Sequence, residues 1–429
     1  MERCVLPECD EGKCMRRHPI ELRASDGFGS LEQVPTKGQG WAIVHGLCNG
    51  GMFWRSSAEA TKAEGKSACE GPKDGTREDI VARGTQREET RSDSRGLTGR
   101  ALTTLLLLLL TMAGRARAET SQISDCTAHH PMGDAWWTGP MLANTAATAP
   151  RGHFFIEPYL FDVSTQGSFD QHGTRHSTAH ANGYESRTYM VFGLTDKWGL
   201  GLIPTFSYNA ARGGPSSAGP GAGDLTLQVQ WRLTQFVPCR WVPTISAAVQ
   251  ETLPTGRYDR LGSRPDDGIG AGAYTTNLEF LSQMYFWMPN RRIVRMRLNV
   301  TDAISNSVPV HGVSVYGTGA GFSGHTKPGS SLFVDAAWEY SMTRSWVLAL
   351  DATYRNTGNT QVTGYDSEGR SGMTPVVIDS GVSDAYGLAP AIEYSWKPNI
   401  GVLVGVRLIP AGRNTNETVT PVIAINFVR

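Results

Sequence analysis

"DAYGLAPAIEYSW", residues 384–396, alternates with a period of two along its whole length. One face reads Tyr386, Leu388, Pro390, Ile392, Tyr394 and Trp396, and the other Gly387, Ala389, Ala391, Glu393 and Ser395. Such alternation puts successive side chains on opposite faces of a β-strand. Strands of soluble sheets run about five or six residues, and this one is twice as long. An apolar face with aromatics at both ends is what a strand crossing a bilayer shows to lipid.

The same pattern recurs upstream. "WGLGLIPTFSYN" (198–209) sets Trp198, Leu200, Leu202, Phe206 and Tyr208 against Gly199, Gly201, Thr205 and Ser207. "DLTLQVQWRL" (224–233) sets Leu225, Leu227, Val229, Trp231 and Leu233 against Asp224, Thr226, Gln228, Gln230 and Arg232. "SLFVDAAWEY" (331–340) sets Leu332, Val334, Ala336, Trp338 and Tyr340 against Asp335 and Glu339. Extended along the chain, the pattern predicts about twelve strands, over 152–163, 185–194, 198–209, 224–234, 241–253, 270–287, 291–302, 330–341, 345–356, 384–396, 400–410 and 417–429. Short turns such as Thr195–Lys197 alternate with long loops rich in Gly, Pro and Ser, such as "ARGGPSSAGPGAG" (211–223). The implied fold is an all-β, up-and-down antiparallel transmembrane barrel, with short periplasmic turns and long extracellular loops. Two places fit less well. Glu251 falls in the outward register of Ile245, Ala247 and Val249, at the rim or after a bulge. The stretch 303–329 reads as a long loop, a loop folded into the lumen, or one more hairpin.

"LTTLLLLLLTMAGRARAETS" (102–121) looks like the start of an exported protein, yet lies about a hundred residues into the chain. The apolar block from Ala101 to Ala113 is too short for a membrane span, which takes about 20 residues. Arg100 before it and Ala116-Arg117-Ala118 behind it complete a secretory signal peptide over 97–118, cleaved after Ala118. Residues 1–96 are polar, mixed in charge and hold five of the seven cysteines without the C-x2-C spacing of a zinc site. A segment of this composition does not bury enough apolar surface to fold. It reads as an unstructured extension upstream of a mis-set start, with Val81 or Leu97 as candidate non-ATG initiators; the competing reading is a genuine cytoplasmic extension. The mature chain then comprises a periplasmic N-terminal segment, 119–150, and a barrel, 151–429, in the outer membrane of a Gram-negative envelope.

The hairpin "FGLTDKWGLGLIPTFSY" (192–208), the strand end "ETLPTG" (251–256) and the closing "TPVIAINFVR" (420–429) resemble the MetA-pathway of phenol degradation family of outer-membrane barrels. The resemblance covers most of 150–429 and implies transport of small, often aromatic or apolar compounds across the outer membrane. The chain departs from the aromatic ending common in barrels, because Phe427 is followed by Val428 and Arg429. That shifts the terminal signal read by the barrel-assembly machinery.

Charge and motifs narrow the function. Forty Lys and Arg balance forty Asp and Glu, so no basic footprint points to nucleic acid. No G-x-S-x-G elbow or H-E-x-x-H occurs, and no cofactor or metal is implied. His172, His176 and His180 are spaced by four, but "QHGTRHSTAH" has the composition of a solvated loop. The register aims Glu157, Arg232, Glu279, Arg295, Arg297, Asp335, Glu339, Asp351, Arg355, Glu393 and Arg407 into the lumen. There they line a pore or pair as structural salt bridges, since charge facing lipid is costly. Small inward residues on the strands at 198–209 and 384–396 leave room for a passage. Twelve strands lie between the filled eight-stranded barrel and the open porin. The expected function is a narrow channel for small solutes, with the bilayer as its surroundings. Two other readings stand beside it: a barrel scaffold whose loops bind a partner or surface ligand, and a barrel hydrolase.

Cys126 and Cys239 are the two cysteines of the mature chain, and the topology puts both on the periplasmic side. A bridge between them would tether 119–150, with Trp136 and Trp137, beneath the barrel or in its mouth as a partial plug; two free thiols are the alternative. Mass spectrometry of the non-reduced, alkylated protein checks the bridge. Its existence predicts no label on either cysteine before reduction.

Overall fold

The computed structural model describes residues 131–429 except 179, 212–214, 239 and 368–371, together with a small antiparallel pair at Glu8–Asp10 and Lys13–Met15. The expected signal peptide (97–118), Cys126 and Cys239 lie outside the described residues.

Twelve strands form one closed antiparallel barrel. They are β1 (Phe154–Phe169), β2 (Ala181–Gly193), β3 (Trp198–Ile203, continued after Pro204 by Thr205–Ala211), β4 (Leu225–Thr234), β5 (Thr244–Leu253) and β6 (Thr275–Trp287). Then come β7 (Ile293–Ser305), β8 (Ser331–Ser341), β9 (Trp346–Thr357), β10 (Ser383–Lys397), β11 (Ile400–Arg413) and β12 (Thr415–Val428). Each strand pairs with its neighbour in sequence, and β12 closes onto β1 with Leu160 opposite Ile423 and Phe155 opposite Val428. Closure leaves no open edge, which lipid would not hydrogen-bond.

The alternation fixes which face is which. In β10, Tyr386, Leu388, Pro390, Ile392 and Trp396 are exposed on the outside, while Gly387, Ala389, Ala391, Glu393 and Ser395 are buried inside. In β4, Leu227, Val229, Trp231 and Leu233 face out; Gln228 and Gln230 face in. Aromatics gather at both ends of the outer surface. Trp198 stacks on Trp231 at 5.6 Å and Trp346 meets Tyr394 at 4.5 Å near the short turns. Tyr354 meets Tyr386 at 5.2 Å near the long loops. An apolar band between two aromatic girdles is the surface of a transmembrane barrel.

Glu251 lies at the rim of β5, where its Oε2 accepts a hydrogen bond from Thr276 Oγ1 at 2.7 Å. The register shift of that strand is at Ile245/Ser246, its opposite end, so a bulge does not explain Glu251. The stretch 303–329 supplies a hairpin, Val308–His311 with Phe322–Lys327, that stays outside the barrel wall. It joins Gln361–Asp366 and Thr374–Asp379 in a four-stranded sheet among the loops. Leu261, Val308, Val310, Val315, Tyr316, Phe322 and Val362 give this loop assembly an apolar core of its own.

Register is testable by charge placement. Leu227→Arg and Val334→Arg, which aim a guanidinium at lipid, are expected to cost about 2–4 kcal/mol near the midplane. Gln228→Arg, aimed into the lumen, is expected to cost much less. Urea unfolding in detergent micelles or vesicles measures both.

Candidate functional site: a lumen crossed by the N-terminal segment

The segment before β1 enters the barrel. Residues 136–148 run through the half of the lumen nearest the short turns rather than beneath it, and polar wall residues hold them almost one by one. Trp136 N–H donates to Arg344 O at 2.7 Å, in the β8–β9 turn, and the Arg344 guanidinium lies 4.6 Å from the Trp136 ring centre. Trp137 lies 4.6 Å from the Arg295 guanidinium and edge-on to Tyr285.

Two carboxylates then accept the backbone amides. Glu393 Oε2 takes hydrogen bonds from Thr138 N (2.8 Å), Thr138 Oγ1 (2.8 Å) and Gly139 N (3.1 Å). Gly139 sits at φ +121, which a residue with a Cβ rarely adopts, and this lets adjacent amides converge on one oxygen. Asp351 takes three consecutive amides: Met141 N at 3.0 Å on Oδ2, then Leu142 N at 3.3 Å and Ala143 N at 3.1 Å on Oδ1.

On the far side the wall donates instead. Arg297 Nη1 reaches Ala143 O at 2.6 Å and Asn299 Nδ2 reaches Asn144 O at 2.9 Å. Gln230 Nε2 reaches Thr145 O at 3.0 Å, and Ser246 Oγ reaches Ala146 O at 2.5 Å. Thr148 Oγ1 leaves the lumen by donating to Asp196 O at 2.6 Å, in the β2–β3 turn. The segment thus crosses from the β9–β10 side to the β4–β5 side.

Small wall residues make the room. A Cβ at Gly401 would overlap Thr138, and one at Gly405 would overlap Met141. Met141 packs with Tyr159, Phe161, Ala349, Ala389, Ala391 and Leu403 in an apolar patch on the inner wall. Of the small residues that read as space for a passage, Ala389 and Ala391 pack with Met141, whereas Gly201 faces Gln228 and Gly387 faces Thr353.

Of the eleven lumen candidates, Glu157, Glu279, Arg295, Arg297, Asp335, Glu339, Asp351, Arg355, Glu393 and Arg407 are buried on the inner face. Arg232 is on the same face but only half-buried, near the short turns. Arg295 forms a two-point pair with Glu339, and Arg297 lies 3.4 Å from the same carboxylate. Asp351 and Glu393 serve the threaded segment. Asp335, Arg355 and Arg407 lie beyond it, toward the long loops. Glu185 and Arg187 form a pair at 2.6 Å on the inner face of β2, with Arg187 buried and Glu185 partly so. They were not among the candidates, although their spacing of two was the available signal.

The histidines assemble no centre. Asp170, between β1 and β2, accepts from His172 N (2.8 Å), Thr174 N (2.9 Å) and His176 Nε2 (3.1 Å). The His176 contact and these amides lower the Asp170 carboxyl to about 2. His180 stays exposed. Among the described residues, no group of three His, Cys, Asp or Glu is arranged to hold a metal ion.

No family model and no curated relative matches the sequence. Solved structures do. An outer membrane channel from Pseudomonas putida F1 superposes with a TM-score of 0.51 at 15% identity, covering 67% of this chain and all of that one. The toluene transporter of Pseudomonas putida aligns with a TM-score of 0.33 at 12% identity, over 69% of this chain and 96% of that one. The first likeness establishes the outer-membrane barrel fold.

Removing an acceptor tests the hold on the segment. Glu393→Ala leaves the Thr138 and Gly139 amides unpaired, at a cost of about 1–3 kcal/mol. Limited proteolysis of the folded variant is expected to cut within 136–148, while the parent chain resists there.

Proposed function

We propose that the chain is an outer-membrane channel for small solutes, narrowed from the periplasmic side by its own N-terminal segment and working without a cofactor. The observation that carries this reading is a set of buried atoms on lumenal charged groups that hydrogen-bond to nothing among the described residues. Both Asp335 carboxylate oxygens, Glu157 Oε1 and Arg407 Nε are buried and accept or donate no hydrogen bond within the described residues. Ionic groups left bare in a dry, filled interior are costly, which supports a lumen that admits water over one that is solid protein. A water-filled lumen crossed by one polypeptide strand is a restricted passage.

The resemblance to the MetA-pathway family supports small aromatic or apolar solutes. The fold and the aromatic girdles support an outer-membrane location, with the short turns in the periplasm. The scaffold reading has one observation of its own, the loop sheet with its separate apolar core. The hydrolase reading gains no residue.

Planar-bilayer recording decides between channel and scaffold. The refolded chain is expected to conduct in small steps, and an Asp351→Ala/Glu393→Ala double variant to conduct several-fold more as the segment loosens. In liposome swelling, small neutral and aromatic solutes should enter and larger sugars should not. Silence in both assays, from both proteins, would favour the scaffold.

A further inference from the structure

Every short turn of the barrel carries a lysine or an arginine. They are Lys197 between β2 and β3, Arg240 between β4 and β5, Arg291 and Arg292 between β6 and β7, Arg344 between β8 and β9, and Lys397 at the end of β10. These six cations share the turns with one carboxylate, Asp196. All six are exposed except Arg292, which is half-buried. Arg344 lies against the Trp136 ring, yet none of the six forms an ion pair with a described residue. The loop end differs. There Arg175 meets Glu417 at 2.6 Å, Arg257 meets Asp267 at 3.8 Å, and Arg413 pairs with Asp384. The charge of the turn end is left for an anion from outside.

The same turns carry the outward aromatics. Trp198 follows Lys197, Trp241 follows Arg240, Trp346 comes two residues after Arg344, and Trp396 precedes Lys397. All four rings are exposed, Trp241 by 81%. Phe286, on the β6 strand that leads to Arg291 and Arg292, meets Trp241 at 5.9 Å, so two of the basic turns touch. Outward tryptophan settles at the depth of the lipid headgroups, and a cation one or two residues farther along the turn lies at the phosphates. Successive turns are spaced around a closed barrel, so the cations form a collar rather than a patch on one side. The surface facing such a collar is the leaflet in which the barrel sits. A guanidinium fork matches two phosphate oxygens, and each Lys or Arg near a negatively charged leaflet adds to the attraction.

We propose that the turn end of the barrel is an annular binding surface for anionic phospholipids, with its densest contact where Arg240, Arg291 and Arg292 gather beside Trp241 and Phe286. The proposal rests on the barrel's place in a bilayer and does not depend on conduction.

Tryptophan quenching in vesicles tests it. The refolded chain is placed in equimolar phosphatidylglycerol and phosphatidylcholine, with one or the other lipid brominated on its acyl chains. Brominated phosphatidylglycerol should quench more strongly, equivalent to a several-fold preference for the anionic lipid beside the protein, and about 1 M KCl should bring the two lipids close to parity. An Arg240→Gln/Arg291→Gln/Arg292→Gln variant should lose most of that preference, with heat-modifiable migration in gels reporting that it folds. Lys327→Gln, at the loop end, should keep the preference. Equal quenching of the unsubstituted chain by the two lipids at low salt would overturn the proposal whether or not the triple variant folds. So would a preference that survives the triple substitution, or one that Lys327→Gln abolishes as fully.

Discussion

Two carboxylates on the inner wall, Asp351 and Glu393, each take three hydrogen bonds from a single peptide segment, and most of the lumen is organised around that contact. A closed barrel solves the backbone problem of the membrane by pairing every strand, but leaves an inner face lined with acid, base and amide side chains. Charged groups there need partners or water. The threaded segment supplies partners of both kinds, because a peptide carries donors on one edge and acceptors on the other. Its amides go to Asp351 and Glu393; its carbonyls go to Arg297, Asn299, Gln230 and Ser246.

This arrangement divides the lumen in two. The half near the short turns is occupied, with Met141 seated among alanines and Gly405, and with the Arg295–Glu339–Arg297 cluster beside Trp137. The half near the long loops holds the Glu185–Arg187 pair, Asp335, Arg355 and Arg407. Both Asp335 oxygens and Arg407 Nε are without a hydrogen bond among the described residues. Outside, the loops after β5, β7 and β9 fold on one another rather than hang free, with Asp224 accepting Gly256 N at 2.9 Å and Ala271 N at 2.7 Å at the base of the assembly.

How much of this was legible in the sequence differs by element. The twelve strands were, because period two over ten or more residues, with aromatics at the ends, is a strong local signal; Tyr386 to Trp396 shows it without a break. The inner face followed from the same register, which is why ten of the eleven candidates are buried and the eleventh, Arg232, lies near the edge. The threaded segment was not legible. "WWTGPMLANTAATAP" (136–150) has neither period two nor helical spacing, and its backbone bonds to the inner wall run to residues 85 to 288 positions away. The idea of a plug rested on a cysteine bridge, whereas the segment is held by hydrogen bonds along its length. The loop sheet was hidden for a related reason. "TGYDSEGRSGMTPVVIDSG" (363–381) reads as a loop by its Gly, Ser and Asp, and only the short run Val376, Val377, Ile378 marks the strand inside it.

The threading of the lumen is tested most directly by amide hydrogen exchange on the refolded, unsubstituted chain, resolved to single residues across 136–148. Held as described, the amides of Thr138, Gly139, Met141 and Ala143 exchange as slowly as those of the strands on either side of them. If they exchange at the rate of a free peptide while the β9 and β10 amides stay protected, the segment does not occupy the lumen and the account is wrong.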